Sequence, residues 1–388
     1  MIENIEFRKT LNALQDKLQR DIARVSRSSS VFVQADKKRN LYEVSLEKYN
    51  KLLADNITKH YKHADSSDYD NINEEARELA EKLKPRLSDR FDPIAKRTAY
   101  VTLKDHKENF ENNLPCRLIN PAKSEIGIVS KQILDRVNSQ LKEKLSTRHW
   151  KNSAEVINWF QSISEKDRCM FVNFDIVEFY PSISPALLDK ALAWARQSAN
   201  ITDEEIDVIS NARNSLPFSK GGTWKKKNDQ GLFDVTMRSF DGAEVCELVG
   251  MFALTTLPSE YRNGNIVLYR DDGLGVFHRL SGSKAERVRK EITAHFKTLG
   301  LRITISCDLK TDNFLDLTLR LDTGKHYPYR KPGDTPLYIH RQSNHPPTII
   351  KSLPAAISRR LTDISSDEDV FKSAAPAYND ALRMSGYT

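Results

Sequence analysis

Apolar residues in the first 95 positions fall at helical spacing. Leu11, Leu14, Leu18, Ile22 and Val25 recur every three or four residues and make one stripe on an otherwise polar helix. Such a stripe predicts a helix packed on the chain's own core. Asp65 to Asp70, with Ser66 and Ser67 among them, reads as a surface loop. From about Thr98 the texture changes to short apolar strands alternating with helices. Cys169 to Ile176 (CMFVNFDI) is a largely buried strand of β-favouring residues. Ser184 then caps a helix opened by Pro185, with Leu187, Leu188, Ala191, Leu192 and Ala195 on its apolar face. Asn265 to Arg270 and Leu274 to Phe277 flank Asp271-Asp272-Gly273 and predict a β-hairpin that turns on Asp-Gly. Ser283 and Glu286 form a capping box for a helix with Val288, Ile292, Phe296 and Leu299 inward, closed by Gly300. Leu301, Ile303 and Ile305 predict one half-buried strand, and Leu315, Leu317, Leu319 and Leu321 another. A last helix is expected over Ser352 to Leu361. Strands and helices mix without a regular βαβ repeat, so the expected class is α+β, an antiparallel sheet backed by helices.

Composition narrows the partners more than the fold. Sixty Lys and Arg oppose 53 Asp and Glu, a net +7 that fits a polyanionic partner. No run of about 18 apolar residues exists and the N-terminus lacks a signal-peptide pattern, so no membrane is expected and the protein reads as intracellular, nuclear or cytoplasmic. Cys116, Cys169, Cys246 and Cys307 lie far apart without a C-x-x-C and read as reduced thiols. His340 and His345 lack further ligands at metal spacing and read as structural or RNA-facing. Trp224-Lys225-Lys226-Lys227 can stack on and neutralise nucleic acid, although a short charge run is usually solvated.

The chemistry concentrates in three carboxylates. Asp175 ends a buried strand, and Asp271 and Asp272 stand at the hairpin tip. Carboxylates so placed are costly to bury unless a cation neutralises them. Hard divalent cations prefer carboxylate oxygen, and a pair roughly 3.5–4 Å apart supports in-line phosphoryl displacement. Nucleotidyl transfer is the chemistry this donor set suits.

At these residues the sequence resembles reverse transcriptases. FDIVEFYPSIS (174–184) is similar to their motif A and YRDD (269–272) to the Y-x-D-D of motif C. YVTLKDHK (100–107) and CRLINPAKSEIG (116–127) resemble the fingers motifs, TLGLRITISCDLKTDNF (298–314) motif D, and FLDLTL (314–319) the primer-grip strand. SNHPP (343–347), inside the segment 328–354, is similar to the region after the palm in Penelope-like retroelements. The resemblance implies a right-hand polymerase: an N-terminal helical extension (1–95), fingers and antiparallel palm (96–321), and a helical thumb-like region (322–388). It implies two Mg2+ ions, replaceable by Mn2+, held by Asp175, Asp271 and Asp272 with Ile176 beside them. Arg117, Lys104, Lys107, Ile176 and Tyr180 would bind the incoming nucleotide, with Arg117 clamping phosphate bidentately and Tyr180 excluding a 2′-hydroxyl. Lys310 would donate a proton to the leaving pyrophosphate, and Tyr269, Arg270, Phe314 and Leu315 would contact the primer. The implied partners are an RNA template, a DNA or RNA primer and dNTPs. No endonuclease constellation is present, so integration would need another domain or partner. Two departures stand out: where such families carry a glycine-rich motif B, this chain has FDGAEVCELVGMFAL (240–254), with Glu244 and Glu247, and Arg270 fills the variable position of Y-x-D-D, usually a smaller residue. A template-independent nucleotidyltransferase and an inactive, domesticated palm that only binds RNA are the alternative readings.

Overall fold

The computed structural model describes residues 13–36, 40–82, 98–105, 107, 110–121, 124–144, 152–219, 222–227, 231–262, 266–280, 282–331 and 337–387. In chain order the first elements are α1 (Ala13–Ser26), β1 (Ser30–Gln34), β2 (Leu41–Ser45), α2 (Leu46–His60), β3 (Tyr61–His63), α3 (Ser66–Lys82) and β4 (Tyr100–Leu103). Next come α4 (Phe110–Asn113), β5 (Cys116–Ile119), α5 (Glu125–Lys144), α6 (Ser153–Ser162), β6 (Cys169–Ile176), α7 (Phe179–Ser182), α8 (Pro185–Ala195) and α9 (Asp203–Asn211). They are followed by β7 (Phe218–Ser219), β8 (Gly222–Lys226), α10 (Gly242–Thr255), α11 (Ser259–Arg262), β9 (Ile266–Tyr269), β10 (Asp272–His278) and α12 (Gly282–Thr298). The chain ends with β11 (Ile303–Leu309), β12 (Thr311–Phe314), β13 (Leu317–Arg320), β14 (His326–Pro328), α13 (Pro347–Asp363) and α14 (Glu368–Met384). No described helix is long and apolar enough to cross a membrane.

Two compact units divide the chain, one of residues 1–51, 103–115 and 326–388, the other of residues 52–102 and 116–325. In the first, β1 and β2 pair as an antiparallel hairpin, Ser30 opposite Ser45. The Asp105 carboxylate accepts from the Asn40 amide at 3.0 Å and the Tyr42 hydroxyl at 2.9 Å. Helix α1 departs from expectation, because Leu18, Ile22 and Val25 are exposed. Period alone says that a helix has an apolar face, not what covers it; Leu11 and the Leu14 side chain lie outside the described residues. The C-terminal part holds two helices where one was expected. α14 is N-capped by Asp367, whose side chain accepts from the Val370 N–H, and the Arg330 guanidinium lies 3.7 Å from the centre of the Tyr378 ring.

The second unit is organised by a four-stranded antiparallel sheet in the order β11-β6-β10-β9. Along β6, Val172, Phe174 and Ile176 point into the main core, where Phe174 meets Phe296 of α12 with ring centres 5.2 Å apart. The opposite face of β6 closes progressively less. Phe171 is sealed against Phe160 of α6, Asn173 donates its amide to Asp312 at 2.7 Å, and Asp175 at the end is half-buried. Helix α8 follows as read, its Ser184 side chain accepting from the Leu187 N–H and its five apolar residues buried. Gly300, at φ +75°, ends α12 with the Leu301 N–H bonded back to the Phe296 carbonyl. At its other end, α12 starts at Gly282, and Glu286 is held by the Arg289 guanidinium.

Three local readings need correction. Asp65 to Asp70 is the start of α3 rather than a loop: the Asp65 N–H donates to the Asp68 carboxylate at 2.8 Å, one half of a capping box. Leu315 to Leu321 is not one strand, since β12 and β13 form a hairpin in which Phe314 faces Leu317 and Leu315 (φ 56°) takes the turn. Of the basic run beside Trp224, Lys227 is solvated but Lys225 and Lys226 are not. Trp224 stacks on His63 at 3.9 Å, Lys225 pairs with Asp68 at 2.6 Å, and Lys226 is buried against Asp234.

Candidate active site

The end of β6 is where the carboxylates gather. Strand register sets Asp175 directly opposite Asp272 on β10, with Thr304 of β11 on its other side. Tyr269 pairs with Asp272, so the hairpin turns on Arg270 and Asp271 alone. The expected turn on Asp-Gly is thus displaced by two residues, and the left-handed residue is Arg270 at φ 56°. A positive φ at the first central position matches the twist of paired strands, at a cost for a side chain larger than glycine. The Asp271 carbonyl accepts from the Ile176 N–H at 2.9 Å, which ties the turn to the end of β6.

Gly273 serves close approach instead. It sits opposite Phe174, and a Cβ built on it would lie 2.1 Å from the Phe174 ring. That contact lets β10 lie flat on β6 while the Phe174 ring crosses under it. Asp-Gly is a turn signal in the sequence, yet Gly273 stands within β10, where its register partner Phe174 requires a residue without a Cβ.

Helix α10 walls the site from another side. Gly242 in its first turn admits the Thr236 carbonyl and the Ser239 hydroxyl, each 2.6 Å from where a Cβ would stand, with the Tyr180 ring in ordinary contact at 3.5 Å. Asp241, at the N-cap, and Arg213 are both fully buried and form an ion pair without hydrogen-bond alignment. Burial, reinforced by the charge of Asp271, holds the Cys246 thiol protonated. Glu244 and Glu247, the two unexpected acids of this helix, point away: they pair with Lys131 and Lys142 of α5. They tie two helices together and do not substitute for a base-contacting group.

The other predicted residues separate into those near the carboxylates and those elsewhere. Tyr180, on α7, is half-buried; its hydroxyl accepts from Arg270 at 3.4 Å, and burial raises its pKa to about 12. Tyr269 lies under the Arg270 guanidinium, 5.9 Å from ring centre to Cζ. Ile176 is buried, so only its backbone can face a ligand. Arg117 lies half-buried on β5 in the same unit, whereas Lys104 and Lys107 belong to the other unit.

Two placements overturn expectations. The Lys310 ammonium donates to the carbonyls of Asp167 (2.5 Å) and Cys169 (2.9 Å), at the start of β6. Six residues of strand, about 20 Å, separate that point from Asp175, so Lys310 staples β6 to the β11–β12 turn and cannot serve as proton donor from there. Phe314 is buried at 2% exposure, which leaves no ring surface for a primer; Leu315 at the hairpin tip is half-buried.

Among the described residues no three acids, imidazoles or thiols close around one point. Strand register, not a closed shell, brings the carboxylates together. The donor set nevertheless fits hard divalent cations: like charges opposed across an antiparallel pair repel, and oxygen ligands at a strand end leave room for water and phosphate.

No family model matches the sequence, and no curated protein is found similar to it. Solved structures are similar in fold. Telomerase from Candida albicans in complex with a fragment of telomeric RNA superposes with a TM-score of 0.61 at 12% identity, covering 96% of this chain and 64% of that one. Apo telomerase from Candida tropicalis gives 0.55 at 10% identity over 93% and 67%, and a form truncated from its C-terminal domain gives 0.50 at 12% over 76% and 63%. This chain therefore spans about two thirds of the length of those it resembles, and the likeness is one of fold.

Proposed function

We propose that this chain is an RNA-directed DNA polymerase that extends a primer 3′-hydroxyl with dNTPs. The observation that carries this reading is the register of Asp175 against Asp272, with Asp271 in the turn between β9 and β10, on a four-stranded antiparallel sheet. The fold shared with telomerases supports it, and the RNA bound in one of those structures supports an RNA partner.

Asp175 and Asp271 are the residues to hold magnesium, or manganese in its place, with Asp272 and the backbone of Ile176 adjoining. When bound, such ions supply acidity to the attacking hydroxyl and neutralise the phosphates. Arg117 is assigned to the triphosphate, where a guanidinium meets two oxygens at once. The Tyr180 ring forms the wall against the sugar, and Arg270 orients its hydroxyl. A retroelement origin, of Penelope-like type, accords with the SNHPP segment, and any endonuclease would be a separate domain or partner.

Primer extension on an RNA template, with dNTPs and Mg2+, tests the proposal. Templated product is expected. Product formed equally without template would make the chain a template-independent nucleotidyltransferase, and RNA binding without product would make it a binding module.

Sugar choice gives a second test. Tyr180→Ala is expected to lower the dNTP over rNTP ratio of kcat/KM by roughly 10 to 200-fold, as removing one steric wall does. An unchanged ratio would move the wall away from α7, because Phe179, the neighbouring ring, is buried in the core and offers no alternative.

A further inference from the structure

α7 is too short to hold itself. It has four residues, is preceded by Glu178 in the left-handed region (φ 51°), and has no side-chain N-cap bond; one turn of helix is unstable without tertiary contacts. Its C-terminal half is instead gripped from below. The Lys226 ammonium donates to the Pro181 carbonyl at 3.3 Å, next to Tyr180. Lys226 is 7% exposed and stands 2.6 Å from one Asp234 oxygen. The other Asp234 oxygen accepts from the Tyr61 hydroxyl at 2.7 Å, and Tyr61 and Lys226 are register partners on β3 and β8. A buried ammonium is tolerable only when paired, and here the ion pair is close, although Asp234 Oδ1 makes no aligned hydrogen bond, while the Tyr61 hydroxyl fixes the other Asp234 oxygen. The Tyr180 side chain itself makes one long hydrogen bond, to Arg270, and packs one side of its ring against the main core beside Gly242. The backbone of α7 sets where that ring starts and so how far it rises from the core.

We infer that Lys226, Asp234 and Tyr61 form a buried brace that fixes the height of Tyr180 under the nucleotide sugar, which makes Lys226 a positioning residue for sugar selection. The inference rests on the polymerase reading. It also gives residues far apart in the chain, on β3, on β8 and before α10, a common task that lies outside the carboxylate cluster.

The test measures kcat/KM for dNTP and rNTP in wild type, Lys226→Met, Tyr61→Phe, Tyr180→Ala and the Lys226→Met/Tyr180→Ala double variant, with melting curves for each. Lys226→Met is expected to lower the dNTP over rNTP ratio about tenfold, with Tyr61→Phe shifting it less and in the same direction. In the Tyr180→Ala background, Lys226→Met should change the ratio no further, because the wall it positions is gone. A ratio unchanged in both single variants, with only melting temperature or kcat reduced, would make the brace a stability element and overturn the inference. So would additive effects in the double variant. Should Lys226→Met fail to fold, Tyr61→Phe, which deletes one hydroxyl, decides alone. Wild type that extends no primer would sink the polymerase reading itself, a result distinguishable from active wild type with an unaltered ratio.

Discussion

Asp175→Asn and Asp271→Asn are each expected to reduce primer extension by roughly 100 to 1000-fold, the worth of one preorganised electrostatic contact at a reacting centre. The fold should not suffer. Asp175 faces Asp272 across the β6–β10 ladder, and neutralising one member of a like-charged cross-strand pair relieves repulsion worth about 0.2–1 kcal/mol. Asp175→Asn should therefore melt at or slightly above the wild-type temperature in metal-free buffer. Added Mg2+ should raise the melting temperature of wild type, since a ligand that binds only the folded state stabilises it, and should leave Asp175→Asn unmoved. Near-wild-type extension in either variant would end the two-ion proposal, and equal Mg2+ shifts in all proteins would remove these carboxylates from the binding site.

Gly273→Ala should damage the same strand end by a different route. The new methyl would start 2.1 Å from the Phe174 ring, and that ring, 1% exposed and packed on Phe296, has nowhere to retreat. Overpacking of this kind costs about 1–3 kcal/mol, occasionally more. Because Gly273 adjoins Asp272, relief by displacement of β10 would also separate Asp272 from Asp175, so activity should fall together with stability. Phe174→Leu in the same chain makes room and should recover part of both, as read from urea midpoints and extension rates. A Gly273→Ala protein as stable as wild type would show that the two strands lie farther apart than this register allows.

The carboxylates were legible because two periodic signals, an apolar strand ending in Asp175 and a hairpin around Asp271 and Asp272, each locate a residue at an element's end. α8 was legible for the same reason: Ser184 and Pro185 act within one turn of the helix they start. What sequence could not convey was which distant backbone a side chain meets. Lys310 carries the same residue type whether it points at a leaving group or, as here, at the carbonyls of Asp167 and Cys169. Phe314 and the leucines after it alternate correctly, yet the chain reverses at Leu315, and alternation survives a two-residue turn unchanged. Lys225 and Lys226 look like solvent-facing charges until β3 and the start of α3, more than 150 residues earlier, supply their neighbours. Helix α1 shows the opposite limit, an apolar stripe whose covering partner is not found within the described residues.

The strand that carries Asp175 lies at the centre of its sheet, and both of its neighbours come later in the chain, β10 and then β11. During synthesis β6 must wait for about a hundred residues before β10 exists, and for more before β11 does; at 5–20 residues per second that is roughly 5–25 s. Until β10 appears an apolar strand, CMFVNFDI, is without either partner, and until β11 appears one of its edges stays open. Unpaired strands of this composition associate with one another, so yield on expression should depend on temperature and chaperone supply more steeply than the melting temperature of the finished protein would suggest.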